Sequence, residues 1–279
     1  MKVAVAGGTG TLGAPLVAEL ARGGDGVLAL SRGGAGNLPD ATAHRRIDLS
    51  ADEGLAEALA GFDVIVDAVN TAPNRGEELV AITQRLLDAA AGAGVRHFVG
   101  VSIVGCDRVP TSYYKAKVRQ EEAIAAGRTP WSLVRATQFH DLLDWAFGAA
   151  ARWRVLPSGG ARLQPVDVRV VVVRLAEVVH AEPAGRLPDV AGPEVQTLTE
   201  LARAWRSARG GRLLLPLRIP MVGKIGRPLR EAALCNPQAA AGGAAFERWL
   251  VDGMTSPAAS SGCGCSGPTP PGSRTCGSG

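Results

Sequence analysis

The sequence predicts an α/β protein, a doubly wound parallel sheet with helices on both faces. Three observations carry that prediction. Short apolar runs alternate with helix-patterned segments through the first half of the chain. These runs are apolar at nearly every position rather than at every second one, which is the mark of strands buried on both faces. The first run ends in a glycine cluster that opens onto a helix pattern.

In chain order, residues 3–6 read as a strand, 12–22 as a helix and 27–31 as a second strand. Ser50 and Glu53 have capping-box spacing ahead of a helix over 55–60, and Gly61 stops it. Residues 62–69 form a strong strand, and 77–91 carry apolar residues at helical spacing. Residues 97–104 follow as a strand, 114–126 as a helix and 131–136 as a strand. From Arg152 the pattern is less regular: 168–173 is very apolar and β-branched, 199–209 reads as a helix, 213–219 as a strand and 246–251 as a last helix. Residues 255–279 are dominated by Gly, Ser, Pro and Cys, with little to bury, and are expected to be disordered. The expected organisation is a core over 1–151, a smaller substrate lobe over 152–254 and the tail over 255–279.

The glycine cluster is Gly7-Gly8-Thr9-Gly10-Thr11-Leu12-Gly13. A strand–turn–helix joint that holds a pyrophosphate needs a tight turn, close backbone approach and a helix packed with no Cβ in the way. The helix N-terminus then offers N–H groups and a positive dipole end. Gly7, Gly10 and Gly13 supply the spacing, and Thr9, Thr11 and Leu12 the backbone between, so the expectation is a Rossmann-type dinucleotide site. At the end of the second strand an NAD site commonly carries an acidic residue for the ribose 2′-OH. Ser31 and Arg32 stand there instead. Arg32 can pair with a 2′-phosphate and Ser31 can hydrogen-bond it, so NADP(H) is preferred over NAD(H); the alternative is a solvated surface arginine. Asp48 and Leu49 are expected near the adenine. Asn70 is either a contact on the nicotinamide side or a strand-end turn residue. Gln138, Phe139 and His140 fall at the carboxyl edge of the sheet, where ligands bind, and are candidate substrate contacts; a core or capping role for His140 stays equally open. Leu142, Leu143, Trp145 and Phe147 suggest a hydrophobic pocket lining or a plain helix core.

Bulk composition narrows the class. The chain has 279 residues, 46% hydrophobic and 20% charged, and a formal net charge of +4, which suits a globular protein with a full core. Its arginines are scattered, without dense basic runs or interleaved aromatics, so nucleic acid is not an expected partner. No run is long enough to span a bilayer, and the opening residues lack the apolar stretch and cleavage site of a secretory signal. A cytoplasmic, reduced protein is expected. The five cysteines, Cys106, Cys235, Cys263, Cys265 and Cys276, show no metal-ligand spacing, and no metal is expected. The sequence leaves the oligomeric state open.

Four segments together resemble the short-chain dehydrogenase/reductase superfamily, in its atypical branch near NmrA-like proteins. They are Val5-Ala6-Gly7-Gly8-Thr9-Gly10-Thr11-Leu12-Gly13, Ser102-Ile103-Val104-Gly105, Tyr113-Tyr114-Lys115-Ala116-Lys117 and Arg135-Ala136-Thr137-Gln138-Phe139-His140, in the expected order, and the resemblance spans 1–253. It implies a catalytic set of Ser102, Tyr113 and Lys117. Tyr113 and Lys117 lie four apart, on one helical face. A free tyrosine titrates near 10, and a neighbouring ammonium favours its phenolate. In that pattern Lys117 also holds the nicotinamide ribose hydroxyls, Ser102 binds the substrate oxygen and Tyr113 protonates it; the adjacent Tyr114 is the alternative tyrosine. The implied function is an NADP(H)-dependent reductase of a small, hydrophobic carbonyl or enone. The alternatives are a non-catalytic dinucleotide sensor and a non-redox cyclase or epimerase.

Overall fold

A seven-stranded sheet lies at the centre of the computed structural model, which describes residues 1–40, 42–51, 54–210 and 214–255. The elements run β1 (Lys2–Ala6), α1 (Gly13–Arg22), β2 (Gly26–Ser31), β3 (Ala43–Arg46), α2 (Leu55–Leu59), β4 (Val64–Asp67), α3 (Gly76–Gly92), β5 (His97–Ile103), α4 (Ser112–Ala126), β6 (Trp131–Ala136) and α5 (His140–Arg152). They continue with β7 (Val155–Ser158), β8 (Arg162–Leu163), α6 (Val168–His180), β9 (Gly185–Arg186), β10 (Gln196–Thr197), α7 (Leu198–Arg209), β11 (Leu215–Arg218), α8 (Gly223–Arg230) and α9 (Phe246–Thr255). The sheet order is β3-β2-β1-β4-β5-β6-β9 and every pairing is parallel. This is the doubly wound architecture the sequence predicts. Chain direction across the sheet reverses between β1 and β4, so their carboxyl ends diverge and leave a crevice.

Each face of the sheet is sealed by its own core. On one side α1 and α6 bury Leu16, Val17, Leu20, Val171, Leu175 and Val178 against Val3, Val5 and Val99. On the other, α2 and α3 bury Leu55, Leu59, Leu86 and Leu87 against Ala4, Ile65 and Phe98. Each fully buried side chain of this size contributes about 1.5–3 kcal/mol. A third cluster joins α5, α7 and α9 through Phe147, Leu201, Trp205, Phe246 and Leu250 and forms a cap beside the sheet's carboxyl edge.

Several details depart from the sequence reading. The apolar stretch from Val168 is a helix. Asp167 caps it by accepting from the Arg169 N–H at 2.9 Å, and its buried residues Val171, Val172, Leu175, Val178 and Val179 recur at three- and four-residue spacing through Leu175, so burial of one face overrides the strand preference of β-branched residues. β3 is a polar four-residue edge strand with no apolar pattern to reveal it. The expected capping box rests on Glu53, which lies outside the described residues; Ser50 bonds Asp48, and α2 starts after Gly54, at φ 74°, with no side-chain hydrogen bond from that position. The division at residue 152 cuts through packing, because α6 covers α1 and β9 pairs with β6, both from the second half. Leu213 and the tail over 256–279, with Cys263, Cys265 and Cys276, also lie outside the described residues. No helix among the described residues is long and apolar enough to cross a membrane.

Candidate active site

A cleft of about 830 Å³ opens at the β1/β4 divergence. Gly7, Thr9, Gly10, Thr11 and Leu12 form its floor; Ser31, Arg32, Asp48 and Leu49 line one end; Asn70, Ser102, Tyr113, Tyr114 and Lys117 line the other, with Gln138 and Phe139 beyond.

The floor is backbone-built. Gly7 takes φ 75°, and a Cβ there would sit 2.9 Å from the Ala68 carbonyl oxygen. A Cβ on Gly13 would sit 2.1 Å from the Gly7 carbonyl oxygen, so α1 approaches the loop to a distance only glycine permits. Leu12 precedes α1 as its cap position with no side-chain hydrogen bond; the Ala14 N–H is taken by the Gly10 carbonyl oxygen at 3.0 Å and Pro15 carries none, so the helix presents chiefly its dipole end to the cleft. This cradle fits a dinucleotide pyrophosphate on its geometry alone.

At the β2 end, Ser31 is nearly buried and shares a 2.9 Å hydrogen bond with His44 Nε2. Arg46 Nε donates to the Arg32 carbonyl at 3.0 Å and fixes the backbone that carries the Arg32 side chain. His44 and Arg46 come from β3, so the edge strand missed in the sequence adds basic groups beside Arg32.

The other end is built from side chains. α4 starts at Ser112 because Thr111 accepts from the Tyr114 N–H at 3.1 Å. That start sets the helical phase. Tyr113 donates its hydroxyl to Asn70 Oδ1 at 2.8 Å, at the carboxyl end of β4. Tyr114 packs against Val109, Ala233 and Leu234, and burial pushes its hydroxyl up to about 12. Burial also raises Tyr113, partly offset by the Asn70 hydrogen bond. The ammonium–phenol contact expected from the four-residue spacing is not made: Lys117 turns inward and donates to the Val101 carbonyl oxygen at 3.0 Å and to Gln120 Oε1 at 2.6 Å. Ser102 is buried and its hydroxyl lies 4.0 Å from Cys106 Sγ. Burial, with Glu121 adjacent, pushes the Cys106 thiol up to about 11, so it stays protonated and unreactive.

Beneath Lys117 lies a carboxylate that sequence reasoning passed over. Asp67, the last residue of β4, has no exposed surface. It accepts from Thr83 Oγ1 at 2.7 Å, Gln120 Nε2 at 3.1 Å and the Val69 N–H at 3.1 Å. Burial raises Asp67 and lowers Lys117, against the pull of each charge on the other. An acidic residue inside an apolar strand was the available signal.

His140 corrects its expected role as a substrate contact. It is fully buried, bonds the Ala244 carbonyl oxygen at 3.0 Å through Nε2 and packs on Phe246 and Trp249, away from the cleft. The phase of α5 explains the split among its apolar residues. Leu142 and Trp145 line the cleft, whereas Leu143 and Phe147 point the other way into the cap core. Asp141, also missed, joins the lining next to Leu142. Gln138 reaches the cleft while tying the cap down, donating to the Leu234 carbonyl oxygen at 3.3 Å and accepting from the Gln164 N–H at 3.3 Å.

Against known proteins, residues 7–162 match the family described as NAD(P)H-binding, which is more than half of the chain. The chain belongs to that family. A curated relative from Streptomyces griseus, (4-alkanoyl-5-oxo-2,5-dihydrofuran-3-yl)methyl phosphate reductase, is 32% identical over 152 residues, which cover 52% of this chain and 51% of the relative. The chain thus spans about half the length of that relative. Among solved structures, the Bordetella bronchiseptica enzyme WbmH in complex with NAD+ superposes with a TM-score of 0.73 at 14% identity, covering 90% of this chain and 96% of the other. Thermus thermophilus UDP-glucose 4-epimerase in complex with NAD gives 0.67 at 20% identity, covering 84% and 99%. At these identities the structural likeness establishes the fold alone.

Proposed function

We propose that the protein is an NADP(H)-dependent reductase of a small, hydrophobic carbonyl or enone, in the NmrA-like branch of the short-chain dehydrogenase/reductase superfamily. One observation carries the reading: the glycine cradle, the Tyr113 hydroxyl, Ser102 and Lys117 all border one cleft. The cofactor supplies hydride when bound. Gly7, Gly10 and the start of α1 hold its pyrophosphate; Arg32, flanked by His44 and Arg46, meets the 2′-phosphate; Lys117 meets the nicotinamide ribose. Ser102 orients the substrate oxygen and Tyr113 gives it a proton. Burial keeps Tyr113 in the phenol form at neutral pH, which is the form a donor needs. Leu142 and Trp145, both largely exposed on the cleft wall, supply an apolar surface for the substrate. The Streptomyces relative, named as a reductase, is of the same reaction class.

The test is calorimetric titration of the wild-type protein and an Arg32→Ala variant with NADPH and NADH. NADPH should bind the wild type at least tenfold more tightly than NADH. Arg32→Ala should weaken NADPH about 10–100-fold, the worth of a charge-assisted contact, and leave NADH unchanged. Equal affinities would remove the NADP(H) assignment. Binding without turnover of any carbonyl or enone in a broad panel would favour the sensor reading.

A further inference from the structure

The interior under the cleft holds a carboxyl and an amine, Asp67 and Lys117, linked through neutral side chains. Gln120 sits between the two charges: its Oε1 accepts from Lys117 Nζ at 2.6 Å, and its Nε2 donates to Asp67 Oδ2 at 3.1 Å and to Thr83 Oγ1 at 2.9 Å. Thr83 donates a hydroxyl hydrogen bond to Asp67 Oδ2 at 2.7 Å. Every donor in this chain points toward Asp67, and the Val69 N–H closes on its second oxygen. These three donors favour the anion and work against the burial that raises Asp67. Lys117 has three N–H donors; Val101 and Gln120 take two, and the third remains for the cleft that Lys117 lines.

We propose that Asp67 is a positioning residue of this site: through Gln120 its carboxylate keeps Lys117 charged and pinned beneath the cleft, with one N–H left for the ribose of a bound dinucleotide. This rests on reading Lys117 as the cofactor-side cation. The other ionisable groups around Lys117 do not replace Asp67. Glu121, one turn along α4, is committed to Arg135 through contacts of 2.6 and 2.7 Å. Cys106, in the loop after β5, stays a neutral thiol. Tyr113, one turn before Lys117, is engaged with Asn70. Without Asp67 the ammonium is left buried with no committed counter-charge, and its charged form is disfavoured.

The chain has four lysines, Lys2, Lys115, Lys117 and Lys224. Lysine-selective 13Cε NMR can therefore follow Lys117 directly in the cofactor-free protein, with Lys117→Met assigning its signal. In Asp67→Asn, Lys117 should lose its proton about 1–3 pH units below the wild type, the size of an opposite-charge effect at close range. Lys115 and Lys224 should not move. Gln120→Met, which removes the bridge and keeps the volume, should shift Lys117 the same way by a smaller amount. It carries the test alone if Asp67→Asn does not fold. An unshifted Lys117 in whichever variant folds overturns the proposal. NADPH titrations across the same pH range give a separate readout: the affinity of Asp67→Asn should begin to fall at lower pH than that of the wild type. Superimposable NADPH curves with a shifted Lys117 would keep the positioning of the ammonium and remove its role toward the ribose. Absence of NADPH binding in the wild type would reject the cofactor reading and leave the NMR result standing.

Discussion

The two ends of the cleft are built from different materials. The phosphate end is backbone: a left-handed Gly7, a Gly13 with no room for a Cβ and an uncapped helix start. The reacting end is side chain: Tyr113 on Asn70, and Lys117 on a buried network that reaches Asp67. A backbone site tolerates change in most of its residues but none at its glycines. A side-chain site tolerates the fold around it moving little, and its parts fail one function at a time.

The largest expected effect separates chemistry from binding at the reacting end. Tyr113→Phe should lower turnover about 10²–10⁴-fold, the usual worth of a general acid, while NADPH affinity stays within a few-fold. Tyr114→Phe should leave turnover within a few-fold, because the Tyr114 side chain packs on the apolar cluster of Val109, Ala233 and Leu234 and Tyr113, not Tyr114, is hydrogen-bonded to Asn70. The reverse pattern in steady-state kinetics would exchange the roles of the two tyrosines.

Gly13→Val tests the phosphate end, where binding and stability should fail together. The new side chain overlaps the Gly7 carbonyl, so thermal unfolding should show a loss of about 1–3 kcal/mol and titration should show no NADPH binding. A variant with intact binding would show that the loop relaxes and is not the cradle.

Next in size is the cap. Thr197→Ala removes a complete capping box, in which Thr197 accepts from the Glu200 N–H at 3.2 Å and Glu200 returns a 2.7 Å contact to the Thr197 N–H. The cost should be about 1 kcal/mol in denaturant unfolding, with cofactor affinity unchanged because α7 lies away from the cleft floor.

The smallest effect is in the pH dependence of stability. Burial lowers His140 from its usual 6.5 and holds it neutral in the fold. Its contribution is present in full above about 6.5. Below that the unfolded chain takes up a proton that the native state refuses, so stability falls with falling pH. His140→Gln should flatten part of the wild-type slope between pH 7 and 5. Identical slopes would assign it to other groups, such as His97, which burial also lowers.

These contrasts match what was legible beforehand. Strands β1, β2, β4, β5 and β6 announce themselves as apolar runs, and the glycine spacing marks the phosphate end because only glycine meets its steric demand. Tyr113, Lys117 and Ser102 were found by resemblance, and all three border the cleft. The Asp67–Thr83–Gln120 network was not found, since its members lie on three elements far apart in sequence and meet only after the sheet forms. For His140 the sequence leaves substrate contact and core roles equally open, and the structure gives the core role, because strand-end position says where a residue starts, while helical phase decides which way it points. β3 and α6 escaped for opposite reasons: one edge strand carries no apolar pattern, and one helix is written in strand-forming residues.

The interleaving of core and cap limits how this molecule can be recombined. The chain leaves the sheet after β6 to form α5, returns for α6 and β9, and leaves again for α7 and α9. A foreign cap therefore has to be supplied as two separate pieces with three joins. A single crossover after β6 would discard α6 and strip the cover from Leu16, Val17 and Leu20 on α1. In such a layout, new substrate preference is reached more readily by point changes at wall positions such as Leu142 and Trp145 than by exchange of modules.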